Sequence, residues 1–183
     1  MLRMIFSRLI SGFERRWGYD AGYMRRILGG SPSSFAKFSV IPFIVDRRGA
    51  PPEALAAAGI VGTLAEDCGP CTQISVDMAL ASGARPEVLR AVLAGDEAAM
   101  GRDARLAWRF ARASLARDLG ATEVLRKCVV RRSGERGLVA ISLSLMTARM
   151  YPTVKYALGY GQTCSKVVVG GEAAPVVHLA DAA

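Results

Sequence analysis

Residues Glu66–Ser75 read EDCGPCTQIS, and the fold turns on what this stretch can become. Two cysteines three positions apart enclose Gly69-Pro70, in a chain with only four cysteines and one histidine. A redox pair, half of a metal site and simple packing residues are all open at this point. Pro70 narrows the local structure. A proline inside a long helix removes a hydrogen bond and collides with the preceding turn, whereas a first turn tolerates it. A helix is therefore expected to start near Asp67 or Cys68, with an apolar stripe at Ile74, Met78 and Ala81 and a C-cap at Gly83. Pro86 then opens another amphipathic helix carrying Val88, Leu89, Val92 and Leu93. On the other side, Ala50-Pro51-Pro52-Glu53 has the form of a helix start, and Ala54 to Leu64 is nearly all small and apolar. Such a helix suits enclosure on most sides and should be central.

Further out, GYDAGYMRRILGGSPSSFAKF (residues 18–38) predicts two short helices joined by a turn at Gly29-Gly30-Ser31-Pro32. From Asp103 onward, Ala104, Ala107, Trp108, Ala111 and Leu115 recur at helical spacing. Arg102, Arg105, Arg109 and Arg112 fall on another, solvated face. Thr122 is expected to cap a short helix with Leu125, Cys128 and Val129. Ser133 is expected to cap a longer one with Leu138, Ile141 and Leu145 that bends near Pro152. From Val167 on, Gly170-Gly171 and small residues predict a frayed tail or a short strand. The fold class is all-α, in one domain over 1–183: an N-terminal helical segment at 1–50, a core at 51–165 and a flexible tail at 166–183.

Composition agrees with that class. Hydrophobic residues are 51% of the 183 and aromatics 7%, a mix that favours close-packed helices over a sandwich or barrel. The net charge of +8 comes from basic residues spread along the chain as pairs such as Arg15-Arg16, Arg25-Arg26, Arg47-Arg48 and Arg131-Arg132. No dense basic block with interleaved aromatics points to nucleic acid. Four cysteines do not make a secreted disulfide framework, and Arg8 with Arg15-Arg16 interrupts the apolar N-terminus, so no signal peptide and a cytoplasmic location are expected. The stripe Leu2, Ile5, Phe6, Leu9, Ile10 and Phe13 is expected to dock on the protein's own core or on a partner subunit in preference to a membrane.

Residues at i and i+3 of a helix share a face, with Cβ atoms roughly 5–6 Å apart, so Cys68 and Cys71 have the spacing for a local disulfide. A helix N-terminus offers unpaired N–H groups and a positive dipole end, which favour the reactive thiolate. In hydroperoxide reduction one cysteine attacks, becomes a sulfenic acid, and the other condenses with it; an external dithiol reopens the disulfide. Polar neighbours are Glu66, Asp67, Thr72, Gln73, Ser75 and Asp77. Only the carboxylates serve as bases near neutral pH, and Ser75 stacks one turn beyond Cys71. Zinc would need two further ligands from Cys128, Cys164 and His178, none at paired spacing, so no metal is expected. Cys128 and Cys164 fit inert packing positions. No cofactor motif is present. A purely structural pair remains the alternative.

CGPC is also the active-site string of thioredoxins, but a thioredoxin needs an apolar strand before it and further strands after it. The alanine-rich stretch upstream and the helical patterns downstream argue against that fold. Three segments instead resemble the alkylhydroperoxidase-like superfamily, which includes the carboxymuconolactone decarboxylases. YDAGYMRRILGGSP (19–32) is similar to that family's N-terminal segment. LAEDCGPCTQISVDMALASGARPEVLRAVLAG (64–95) is similar to its core helical hairpin, and RSGERGLVAISLSLMTARMYP (132–152) to its later long helix. The resemblance implies an all-helical fold with the CxxC at the start of a central helix, and a thiol peroxidase or disulfide reductase. Cys71 would be peroxidatic and Cys68 resolving. It also implies a hydroperoxide or disulfide substrate, an external dithiol reductant and a homo-oligomer, trimeric or hexameric. The decarboxylases of the family work without a CxxC. Two positions depart from the pattern. The usual histidine four residues after the second cysteine is Ser75, which leaves Cys71 without that proton acceptor while Cys68 keeps the helix terminus, so either cysteine is open as the attacker. The usual upstream glutamate has only Glu66, or less well Glu53, to match it, and Glu66 is the expected base. A non-catalytic or redox-sensing helical assembly is the competing expectation, and a lactone decarboxylase a weaker one.

Overall fold

The computed structural model describes residues 2–161 and 166–177, apart from the side chain of Leu2. The chain is mostly helical: α1 (Leu2–Trp17), α2 (Gly22–Gly30), α3 (Pro32–Phe38), α4 (Pro52–Ala65), α5 (Gly69–Ala81), α6 (Pro86–Ala94), α7 (Arg102–Leu115) and α8 (Leu119–Ala157), with a short 3-10 turn at Ile41–Phe43. A hairpin of β1 (Val167–Val169) and β2 (Glu172–Ala174) follows, antiparallel, with Val167 opposite Ala174 and Val169 opposite Glu172. No helix among the described residues is long and apolar enough to cross a membrane.

α4 is the central element. Pro52 sits in its first turn, where the missing N–H costs nothing, and it packs against α5, α6, α7 and α8. Ala54 and every residue from Ala57 to Leu64 are buried, on all sides of the helix, which is possible because nearly all are small or apolar. The approach to α8 is closest at Gly62, where a Cβ would lie 2.8 Å from the Leu145 carbonyl oxygen and 3.1 Å from the Ala148 Cβ. Alongside, the Ser144 hydroxyl donates to the Leu55 carbonyl at 2.9 Å.

The first hydrophobic cluster draws on α4 to α8 and β1, with Val76, Leu89, Trp108, Ile141, Val167 and Val169 among its members. A second, aromatic cluster draws on α1, α2 and α3 and reaches α8. Its rings meet edge to face in series: Phe13–Tyr19 at 5.8 Å, Tyr19–Tyr23 at 6.5 Å, Tyr23–Phe38 at 6.2 Å and Phe38–Tyr151 at 5.5 Å. This is the geometry the ring quadrupoles favour. α5 lies between the two clusters: Val76 and Ala79 belong to the first, and Ile74 packs on the second.

Several elements differ from expectation. On α5 the buried residues include Thr72, Val76 and Ala79, while Ile74 and Met78 are half-buried and Ala81 is exposed. Being covered from two sides, the helix has no single apolar stripe to read. On α8 the N-cap is Asp118, whose carboxylate accepts from the Ala121 N–H at 2.9 Å; Thr122 lies inside the helix. The one residue of α8 outside helical geometry is Gly134, at φ 69 and ψ 179. Glycine enters positive φ with little strain, so the span divides there into two helices, beside Ser133 where a second helix was expected to start, while Pro152 keeps helical geometry. On α1, Ile10 is buried and Phe6 and Phe13 pack on the aromatic cluster, but Ile5 and Leu9 are 52% and 62% exposed. Of the two outcomes expected after Val167, the strand forms. Gly83, at φ +89, turns the chain after α5 as expected.

Gly62→Ala forces backbone and side-chain atoms of α8 outward and is expected to destabilise by roughly 1–3 kcal/mol. Gly12→Ala is the control: nothing lies within 4 Å of its added Cβ, and removing a mid-helix glycine should leave stability unchanged or raise it by about 0.5–1 kcal/mol. Urea unfolding of the two variants beside the parent checks both signs.

Candidate active site

Cys68 takes an extended conformation (φ −108, ψ 94) as the N-cap of α5, and Gly69-Pro70-Cys71 form the first turn. The chain arrives through Asp67, a non-glycine residue at φ 46, whose carbonyl accepts from the Tyr156 hydroxyl at 2.9 Å. The cysteines are joined as a disulfide with their Cα atoms 5.2 Å apart. Cys68 is 0% and Cys71 2% exposed.

Buried hydroxyls fix this turn to α4. The Cys68 carbonyl accepts from the Thr72 N–H at 2.9 Å and from its hydroxyl at 3.0 Å. The same Thr72 hydroxyl lies 3.1 Å from Thr63 Oγ1, and Thr63 donates to the Ile60 carbonyl at 3.0 Å. Both buried hydroxyls and the Cys68 carbonyl therefore have partners, which burial requires.

The polar residues expected beside the pair are placed as follows. Ser75, at the histidine position of the resemblance, donates its hydroxyl to the Cys71 carbonyl at 2.9 Å. It bonds back along its own helix and away from the sulfur. Glu66 accepts from Arg149 Nε at 2.6 Å, so its carboxylate is held by a guanidinium of α8. Asp77 accepts from Gln73 at 2.9 Å, and Glu53 pairs with Arg85 at 2.6 Å. Cys128 lies on α8, half-buried, with the Arg131 guanidinium 3.0 Å from its sulfur. Cys164 and His178 lie outside the described residues. Among the described residues, no group of three His, Cys, Asp or Glu side chains comes together to hold a metal ion.

What meets Cys71 comes from the aromatic cluster. The Tyr19 hydroxyl lies 4.0 Å from Cys71 Sγ, the long end of a sulfur hydrogen bond. In the disulfide form only the phenol has a proton to give, so Tyr19 donates. Lys155 of α8 completes the cluster. Its residue is 4% exposed, and its Nζ lies 5.1 Å from the ring centre of Tyr19 and 5.8 Å from that of Tyr23. Lys155 is the only charged side chain buried among the described residues. Burial pushes its ammonium below the usual lysine value, with Asp20 opposing in part. Burial likewise pushes the phenols of Tyr19 and Tyr151 up to about 12 and that of Tyr23 higher still, so all three stay protonated donors at neutral pH.

Sequence reasoning did not find Tyr19 or Lys155. The available signal was one lysine inside the aromatic and apolar run YPTVKYALGY (151–160), where a solvated lysine has no natural place. Nothing local tied it to a tyrosine at the far end of the chain. Compared with known proteins, the chain matches no family model, no curated protein and no solved structure.

The buried ammonium also makes a statement about stability. A lysine with a depressed folded value binds fewer protons folded than unfolded, over the window from that value up to 10.5. The parent protein therefore gains stability as pH rises through this window. Lys155→Met in the oxidised protein is expected to raise the melting temperature at neutral pH, with the gain shrinking as pH approaches 10.5, the ordinary value. Thermal unfolding across that range is the check, and a gain that grows with pH would contradict it.

Proposed function

We propose that this chain is a thiol oxidoreductase of the alkylhydroperoxidase-like kind, reducing a small hydroperoxide through Cys71 and Cys68. The observation that carries the reading is the Cys68–Cys71 disulfide at the start of α5, with a phenol donor at Cys71 Sγ. The external dithiol first reduces the disulfide and leaves as its own disulfide. The Cys71 thiolate then attacks one peroxide oxygen: the S–O bond forms, the O–O bond breaks, and the alkoxide leaves with a proton as the alcohol. The Cys68 sulfur attacks the resulting sulfenic acid, closing the S–S bond and releasing water. One hydroperoxide and one dithiol thus become alcohol, water and a disulfide.

Cys71 is assigned the attack because Tyr19 touches it and because the phenol can solvate a thiolate inside an apolar site. Cys68, at the N-cap, resolves. The enclosure of both sulfurs favours a small peroxide over the disulfide of a folded protein, which would need a far larger opening to reach them. That same enclosure supports the second reading, a redox-sensing or structural pair in a helical assembly. A homo-oligomer is compatible with the exposed Val139 and Met146 of α8, the second of which lines an open apolar groove with Leu115 and Met150.

The test is peroxide consumption with a dithiol reductant. Cys71→Ser should abolish turnover, and Cys68→Ser should stop after one turnover with a trappable sulfenic acid at Cys71. Absence of turnover, together with failure to form the Cys68–Cys71 disulfide under excess oxidant, would rule out the redox reading; disulfide formation without turnover would favour the sensor.

A further inference from the structure

We propose that Lys155 is the countercharge of the Cys71 thiolate, acting across the phenol of Tyr19. The inference rests on the thiol reading above and deepens it, since it names what replaces the imidazole that Ser75 does not supply.

Opening the disulfide changes the charge of a closed site. An external dithiol, R(SH)₂, gives two electrons to the Cys68–Cys71 bond and leaves as its own intramolecular disulfide. The site then holds one thiol and one thiolate, and one proton goes to solvent. A thiolate at Cys71, which is 2% exposed, is costly unless a cation faces it. Glu66 is already engaged with Arg149, and Ser75 with its own helix. Lys155 is the one buried charge among the described residues, and no carboxylate there lies within ion-pair distance of it. Its Nζ rests on the ring face of the same Tyr19 whose hydroxyl reaches Cys71 Sγ.

The arrangement is one-sided in the disulfide form. The desolvated ammonium rests on ring faces, a weaker partner than a buried anion. Reduction supplies that anion. Tyr19 then donates to the thiolate while the ammonium lies on its ring, so cation, phenol and sulfur form a short series with complementary charges at its ends. The other groups facing Lys155 are few. Asp20, exposed at the end of the α1–α2 link, raises its proton affinity in part. Tyr23 and Tyr151 remain neutral phenols, and Arg47 acts on Tyr151 from outside. None of these provides a competing buried anion. Lys155 is a positioning residue in this scheme: it touches Tyr19 and acts on the sulfur through it.

The readout is the pH dependence of Cys71 alkylation in the reduced Cys68→Ser protein, resolved by mass spectrometry so that other cysteines do not contribute. Adding Lys155→Met should raise the apparent Cys71 pKa by about one unit, a ~tenfold lower thiolate fraction near neutral pH. Lys155→Arg should restore it, and Tyr19→Phe should raise it as well. A Lys155→Met protein that unfolds cooperatively, with an unchanged Cys71 profile, overturns the proposal. Should that variant not fold, the parent answers through the 15N-labelled Lys155 side chain. Its pKa should rise on reduction of the disulfide, and an unmoved value overturns the proposal. Peroxide turnover separates this inference from the one it rests on. A Lys155-dependent Cys71 profile without turnover removes the peroxidase reading alone, and turnover with an indifferent profile removes the Lys155 assignment alone.

Discussion

A helix with neighbours on every side can carry almost nothing large or charged, and α4 imposes that constraint on the whole molecule. Its alanines and glycines let α8 approach until backbone meets backbone at Gly62, and its far faces receive α5, α6 and α7. Burying apolar surface is worth roughly 25 cal/mol per Å², so a contact this extensive sets where the other helices lie. It also explains how the first turn of α5 is held. Thr63 is one of the few polar side chains α4 admits, and it bonds to Thr72 in the turn that carries both cysteines.

The parts of the fold that were legible in the sequence are those governed by local rules. Pro52, Pro70 and Pro86 each mark a helix start because the first turn tolerates a proline at no cost, and the composition of 54–64 announces burial without reference to any partner. The parts that were not legible depend on what packs where. The face of α5 was misassigned because a helix clamped between two clusters has no wet side to contrast with a dry one. The N-cap of α8 went to Asp118 over Thr122, both acceptable types, whereas the division of that span was legible: a second helix was expected from Ser133, and the break falls at Gly134.

The site was legible in the same uneven way. The spacing of Cys68 and Cys71 and the start of a helix beside them were enough to anticipate a disulfide. The residues around the sulfur were sought nearby in sequence, at Glu66 and Ser75, and those two side chains turn out to be bound elsewhere. The side chains that reach Cys71 or its tyrosine come from the α1–α2 link and the end of α8, brought there by the edge-to-face series of aromatic rings. A buried lysine among tyrosines violates the ordinary partition of charge to the surface, and such violations mark places where a sequence has been shaped by something other than stability.

The hairpin at the end of the described chain has one more property. In an antiparallel pair, successive residues turn their backbone groups alternately toward the partner strand and away from it, and in β1 the residue facing away is Val168. The Gln73 carboxamide accepts from its N–H at 2.7 Å and donates to its carbonyl at 2.9 Å, as a neighbouring strand's peptide group would. A two-stranded ribbon with an open edge is a template on which further strands can add. Here a single amide from α5 fills that vacancy, so the outer edge of β1 is closed to strand addition by another molecule.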